Sequence, residues 1–215
     1  QGGINHFLAK RNPRQISILD LSPTDGTNFH ARFSATGRVY LYRILCTGNQ
    51  AAKVGRRQGR VEAHPMMFDA EHWWCVPEGE LDVERMRHAS ALMEGLHDFT
   101  SFRGKDCVAQ SPVRTVDQIR VDVLPPPHLC YFPDESGDGD GPFREPLCLL
   151  ITVRARSFLH RMVRNLVGSL YHVGRGSCEP EDIARILKAC DRASAPSCAP
   201  ANGLFLKDVS YKTRT

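Results

Sequence analysis

One stretch limits the fold more than any other: Arg156 to Gly176, RSFLHRMVRNLVGSLYHVGRG. Leu159, Met162, Val163, Leu166, Val167 and Leu170 recur at steps of three and four, so the spacing predicts a helix with one face in a core. Arg156, His160 and Arg164 are four apart and share another side, with Arg161 beyond Arg164 and further from the stripe. Ser157 is the expected N-cap, and Gly174 and Gly176 the expected stop. Residues 147–175 hold five Lys/Arg and no Asp/Glu. Two readings of that basic edge are open. It is a solvated polar face with snorkelling stems, or it faces an anionic partner.

The elements around this helix follow from periodicity and turn chemistry. INHFLAKR at 4–11 reads as the end of a helix and Ile16 to Leu21 as a short strand. Pro23 to Gly26 reads as a turn. Thr36 to Cys46 alternates Val39, Leu41 and Arg43 with Tyr40, Tyr42 and Ile44, as a strand with two faces does. Residues 49–80 are irregular and carry Arg56, Arg57 and Arg60. Leu81 to Leu96 is an expected helix with Asp82 as N-cap, and HDFTSFRGKD after it a loop. Val113 to Leu124 is a strand in which Ile119, Val121 and Val123 alternate while Val113 and Val116 fall out of step. Residues 125–146, crowded with Pro, Gly and acid, read as an exposed hairpin loop. Leu147 to Arg154 is a strand, Glu179 to Cys190 a helix and Leu204 to Tyr211 a last strand. From residue 36 the order is the split β-α-β-β-α-β pattern, an α+β arrangement with an antiparallel sheet and helices on one face. The first 25 residues read as the tail of a preceding unit, and 26–215 as the main one.

Charge is unevenly placed along the 215 residues. Residues 1–60 carry ten Lys/Arg against two Asp/Glu, and residues 61–98 carry two against nine. Brought together, the blocks 1–60 and 147–175 would make a positive cleft suited to a phosphate backbone. Uneven blocks also arise by chance, so alternating surface charge stays open beside it. The eight cysteines are widely and irregularly spaced, which fits a reducing compartment, cytosol or mitochondrial matrix alike. His72 and Cys75 form one H-x-x-C without a second ligand pair, so no metal site is expected. No run approaches the roughly 18 apolar residues of a membrane span. Phosphate-binding glycine loops and the nucleophile elbow are absent. The chain begins at Gln1 rather than Met, so a longer natural protein is expected, with any targeting segment ahead of it.

What remains is a set of aromatics and cations at the edges of core elements. Tyr40 is flanked by Arg38 and Arg43, and Phe99, Phe102 and Arg103 follow a helix end. Rings beside cations suit an unstacked base and its backbone, while ordinary strand packing accounts for a tyrosine in a strand equally simply. FHARFSATGRVYLYRI, GLHDFTSFR, SPVRTV, RSFLHRMVRNLVGSLYHVGRG and APANGLFLKDVSY occur in this order. Together, across residues 29–211, they closely resemble the C-terminal half of the TruA-type pseudouridine synthases.

The resemblance implies a pseudouridine synthase fold of two ferredoxin-like halves around a basic cleft, with the N-terminal half mostly absent from this chain. It implies RNA uridine isomerisation, in tRNA or rRNA, with no cofactor and no metal; members often form homodimers, so a homodimer or a larger ribonucleoprotein complex is expected. An Asp carboxylate starts glycosidic cleavage on a flipped uridine, and the base rejoins through carbon. Tyr40 matches the tyrosine that stacks on the target base. Arg164, in the V-R-N segment, matches the arginine that pairs with the Asp, and such a pair keeps the carboxylate ionised and oriented. Leu204 matches an apolar residue lining the uracil pocket. His30, Arg32, Arg38 and Arg161 are further candidates for RNA contact. The family's R-T-D-x-G-V segment has no match in residues 1–28. Asp25 sits in a Pro-Thr-Asp-Gly turn without the preceding Arg and reads as a turn residue. The nucleophile is therefore expected upstream of this chain or in a separate chain. Failing both, the protein is a catalytically silent RNA-binding or ribosome-assembly factor of the same fold.

Overall fold

The computed structural model describes residues 2–11, 16–22, 29–47, 70–125 and 146–212. The expected turn at 23–26, the arginines at 56, 57 and 60 and nearly all of the acidic loop lie outside the described residues, as does the expected boundary at 25/26. The chain forms two compact units, 1–34 and 35–215.

In the first unit, helix α1 spans Gly2–Arg11. Ile16 to Leu21, expected as a strand, takes no strand conformation. The Asn5 amide takes the place of a strand neighbour: Ile18 donates its N–H to Asn5 Oδ1 at 2.7 Å, and Asn5 Nδ2 donates to the Ile18 carbonyl at 2.9 Å.

The second unit is an α+β sandwich. Strand β1 (Ala35–Cys46) lies between β5 (Leu147–Ala155) on one side and β6 (Leu204–Tyr211) on the other. β4 (Val113–Leu124) pairs with β5, and β3 (Gly95–Asp98) with the start of β4. All these pairs are antiparallel. A short β2 (Trp74–Val76) runs parallel to the end of β1, past the point where β6 leaves it, so the sheet is mixed rather than purely antiparallel. Both short strands escape the sequence reading because three or four residues carry no resolvable period.

Helices α2 (Val83–Ala91), α3 (Met162–Gly174) and α4 (Asp182–Ala189) cover the sheet. Tyr42 and Ile44 of β1, Leu149, Ile151 and Val153 of β5, and Leu166, Val167 and Leu170 of α3 meet in one core. Leu45, Trp73 and Cys148 form a second, small cluster. Val116 falls out of step with Ile119 because a bulge at Asp117 shifts the β4–β5 register; the extra residue turns Val116 back onto the core face. Asp82 caps α2 as expected, its Oδ1 accepting from Arg85 N at 2.9 Å. That helix ends at Ala91, not Leu96, because Gly95 at φ +96° turns the chain into β3. Beyond β3, α2 and its exit shield the open edge of β4. Glu94 Oε1 accepts from Ile119 N at 2.7 Å, Ser90 Oγ donates to Ile119 O at 3.2 Å and Arg87 Nε to Val121 O at 3.0 Å.

Helix α3 is shorter than its spacing predicts. Arg161 is left-handed at φ +59°, so regular helix starts at Met162 and Ser157 is no cap. The His160 carbonyl accepts from Gly104 N at 2.8 Å instead of entering the helix ladder. Arg156 and His160 therefore do not share a helical side with Arg164; they belong to the segment leading in. Among the described residues no helix is long and apolar enough to cross a membrane.

Candidate functional site at the start of the basic helix

Arg164 stands in the first turn of α3 and is half-buried. Residue 199 holds it at two points. Arg164 Nε donates to the Ala199 carbonyl at 2.7 Å, and Ala199 N donates to the Arg164 carbonyl at 3.1 Å. Its two terminal nitrogens have no hydrogen-bond partner among the described residues. The guanidinium is thus fixed by its inner nitrogen while its outer edge, the edge that binds a carboxylate with two donors, stays available.

Tyr42 is fully buried beneath this arrangement, and its hydroxyl donates to the Pro200 carbonyl at 2.7 Å. Burial pushes that hydroxyl well above the ordinary tyrosine range, and the Arg164 guanidinium pulls it part of the way back. It remains a neutral donor. Tyr40 lies two residues earlier on the same face of β1, half-buried against the core. Its ring meets Phe158 edge to face, with centroids 5.2 Å apart. Tyr40 pairs with Leu206 and Tyr42 with Leu204, so both leucines stand beside the tyrosines on that face. Leu204 is half-buried against the core, whereas Leu206 is 53% exposed.

Arg38 reaches the same end of the sheet, where its Nη1 donates to the Arg156 carbonyl at 2.6 Å. Arg161 is exposed beside Gly104, where any Cβ would lie 3.3 Å from the Arg161 Cδ and 3.0 Å from His160 Nδ1. The structure therefore gathers Tyr40, Arg164, Leu204, Arg38 and Arg161 around the start of α3 and the strands beneath it. His30 and Arg32 belong to the first unit. There His30 Nδ1 accepts from Arg32 N at 3.1 Å, and the Arg32 guanidinium lies 5.6 Å from the Phe33 ring centre. Sequence reasoning gave no site role to Phe158, Tyr42, Leu206 or the segment 197–203, although Phe158 and residues 199–203 lie inside quoted motifs. Tyr42 and Leu206 were within reach, each two residues from a chosen residue and so on its face. Phe158 and Ala199 are marked only by the motifs they sit in, since no periodicity or turn chemistry singles them out. Among the described residues no three His, Cys, Asp or Glu side chains are grouped to hold a metal ion.

Residues 89–212, more than half the chain, match the family model of tRNA pseudouridine synthases. This chain belongs to the tRNA pseudouridine synthase family. The family match spans α3, the 197–203 segment and β6. Its relatives include tRNA pseudouridine synthase A of Roseobacter denitrificans, 40% identical over 97% of this chain and 66% of that protein. Another is the synthase A of Jannaschia sp., 39% identical over 86% of the chain and 58% of the relative. The synthase A of Rhodospirillum centenum is 36% identical over 98% of the chain and 69% of the relative. The chain thus spans about three fifths to two thirds of the length of these synthases. The resemblance read from five ordered motifs is borne out at the level of the family.

Proposed function

We propose that the protein to which this chain belongs isomerises uridine to pseudouridine in tRNA. The observation that carries the proposal is Arg164, anchored through Nε to Ala199 with both terminal nitrogens available beside the tyrosine- and leucine-lined end of the sheet. Relatives named as tRNA pseudouridine synthases support the choice of tRNA over rRNA. In this reading Arg164 holds the nucleophilic carboxylate ionised and aimed. Tyr40 stacks on the flipped base with Phe158 behind its ring, and Leu204 lines the uracil pocket. Arg38 and Arg161 meet the RNA backbone, with His30 and Arg32 as further contacts. The carboxylate itself comes from a family segment that residues 1–28 do not match.

We infer that 26–215 is one half, built on a ferredoxin-like unit, and that residues 1–25 are the tail of another. The order β6-β1-β5-β4, with helices between β1 and β4 and between β5 and β6, supports the first inference. Mapping pseudouridine after incubating the full-length protein with tRNA transcripts tests the activity. Pseudouridine at a defined position is the expected result. Intact tRNA binding with no product at any uridine would refute the enzyme and leave a silent RNA-binding protein of the same fold.

A further inference from the structure

The segment 197–203 runs between α3 and β1 and touches both at close quarters. On the helix side a Cβ at Gly168 would overlap the Ser197 carbonyl oxygen and come within 3.1 Å of Ala199 N. Only a residue without a side chain lets the segment lie on α3 there. On the strand side a Cβ at Gly203 would meet Arg43 O at 2.7 Å and the Tyr42 ring at 2.8 Å, while Arg43 N donates to Gly203 O at 2.9 Å. Asn202 Nδ2 donates to the Trp73 carbonyl. Between these two contacts lie the two carbonyls that matter: Ala199 O takes Arg164 Nε, and Pro200 O takes the Tyr42 hydroxyl.

We propose that 197–203 is a rigid strap that sets the position of the Arg164 guanidinium, with Tyr42 and Gly168 as its positioning residues. An arginine side chain has many rotamers, and a carboxylate partner selects one geometry. Fixing Nε before the partner arrives removes that search. Misplacement of a reacting group by about 1 Å can cost on the order of a hundredfold in rate. The Tyr42 hydroxyl contributes nothing to the apolar core in which it is buried. Its hydrogen bond goes to the carbonyl next to the one that holds Arg164. This proposal rests on the synthase reading for its effect on rate, but not for the hold of the strap on Arg164.

The test uses the full-length protein with Tyr42→Phe, Gly168→Ala, Arg164→Met and the Tyr42→Phe/Arg164→Met pair. Three quantities are measured: solvent exchange of the Arg164 Nε–H by nitrogen-15 NMR, tRNA affinity, and the single-turnover rate of pseudouridine formation. Tyr42→Phe keeps the ring, so the fold is retained. Exchange of the Arg164 Nε–H should quicken about tenfold or more in Tyr42→Phe and Gly168→Ala, as the hydrogen bond to Ala199 loosens. The rate should fall about tenfold while affinity stays within about twofold, since orientation rather than binding is lost. Placed on Arg164→Met, Tyr42→Phe should lower the rate by less than about twofold further, because both changes remove one function. Unchanged Nε–H exchange in Tyr42→Phe overturns the proposal, as does a full additional rate loss in the pair. A parent protein that makes no pseudouridine would sink the synthase reading alone, and the exchange rates would still decide whether the strap holds Arg164.

Discussion

At the residue scale, Arg164 separates catalysis from packing. Arg164→Met keeps a stem of similar length and removes the charge. The side chain is half-buried at the start of a helix, so the fold should survive with a melting temperature lower by only a few degrees. Turnover should fall more than about tenfold, on the order of the ~1.5–3 kcal/mol of a charge-assisted hydrogen bond. Affinity for tRNA should change far less, because one cation is a small part of the phosphate term. Thermal melting, tRNA affinity and turnover on one preparation check all three, and turnover within about a factor of two of the parent would remove Arg164 from the chemistry. Ser169, five residues on, is the opposite kind of residue. Its Oγ is fully buried with no hydrogen-bond partner among the described residues, at a cost of about 1–3 kcal/mol. Ser169→Ala should therefore raise the urea midpoint without changing the slope of unfolding. A lower midpoint would mean that the hydroxyl is satisfied in solution.

At the element scale, the covering layer depends on how closely α2 approaches α3. Gly174, the last residue of α3, carries the contact: a Cβ there would lie 2.7 Å from Met86 Sδ and 3.3 Å from Leu81 Cβ. The Asp82 N–H also donates to the Gly174 carbonyl at 2.8 Å, so the helix start cannot shift away freely. Met86 is fully buried and has no room to retreat. Gly174→Ala should cost about 1–3 kcal/mol through overpacking, or a drop of roughly 2–10 °C in melting temperature for a unit of this size. A thermal melt decides it. Any gain in stability from the better helix former would show that the two helices can separate without loss.

At the scale of the whole molecule, several buried acids tie stability to pH. Burial, with Glu78 nearby, pushes the Cys46 thiol from 9.0 up to about 12. Burial and the nearby Glu78 carboxylate push Tyr171 from 10.0 up to about 12, and burial carries Tyr42 further. In each case the folded chain holds its proton longer than the unfolded chain. The unfolded state therefore binds fewer protons in this range, and stability falls as pH rises. That contribution is complete below about pH 9, where unfolded Cys46 begins to ionise, and drains away as pH rises towards about 12. Melting temperatures at pH 8, 9.5 and 11 should fall in that order. In Cys46→Ala the decline should begin about one pH unit later, at the tyrosines. A flat profile to pH 11 would show that these groups are reached by water.

Short-range physics was legible in the chain itself. The stripe of Met162, Leu166 and Leu170 predicted the buried face of α3, Asp82 announced the cap of α2, and the alternation around Tyr40 and Tyr42 predicted β1. Each of these signals spans a few residues, where periodicity and capping act. Sequence reasoning over-read the same local signals where the chain had another partner. Ile16 to Leu21 has strand composition, yet Asn5 occupies Ile18. The helix period reaches back to Leu159, yet the His160 carbonyl goes to Gly104 and Arg161 turns left-handed. Ordered motifs marked Arg164 and Tyr40 as functional. The tertiary structure alone decided what holds Arg164. Its anchor, Ala199, lies 35 residues away, and the tyrosine that anchors the next carbonyl lies 158 residues from it. No local pattern encodes a hydrogen bond to a backbone carbonyl, because every residue has one; only the fold selects which carbonyl faces the arginine.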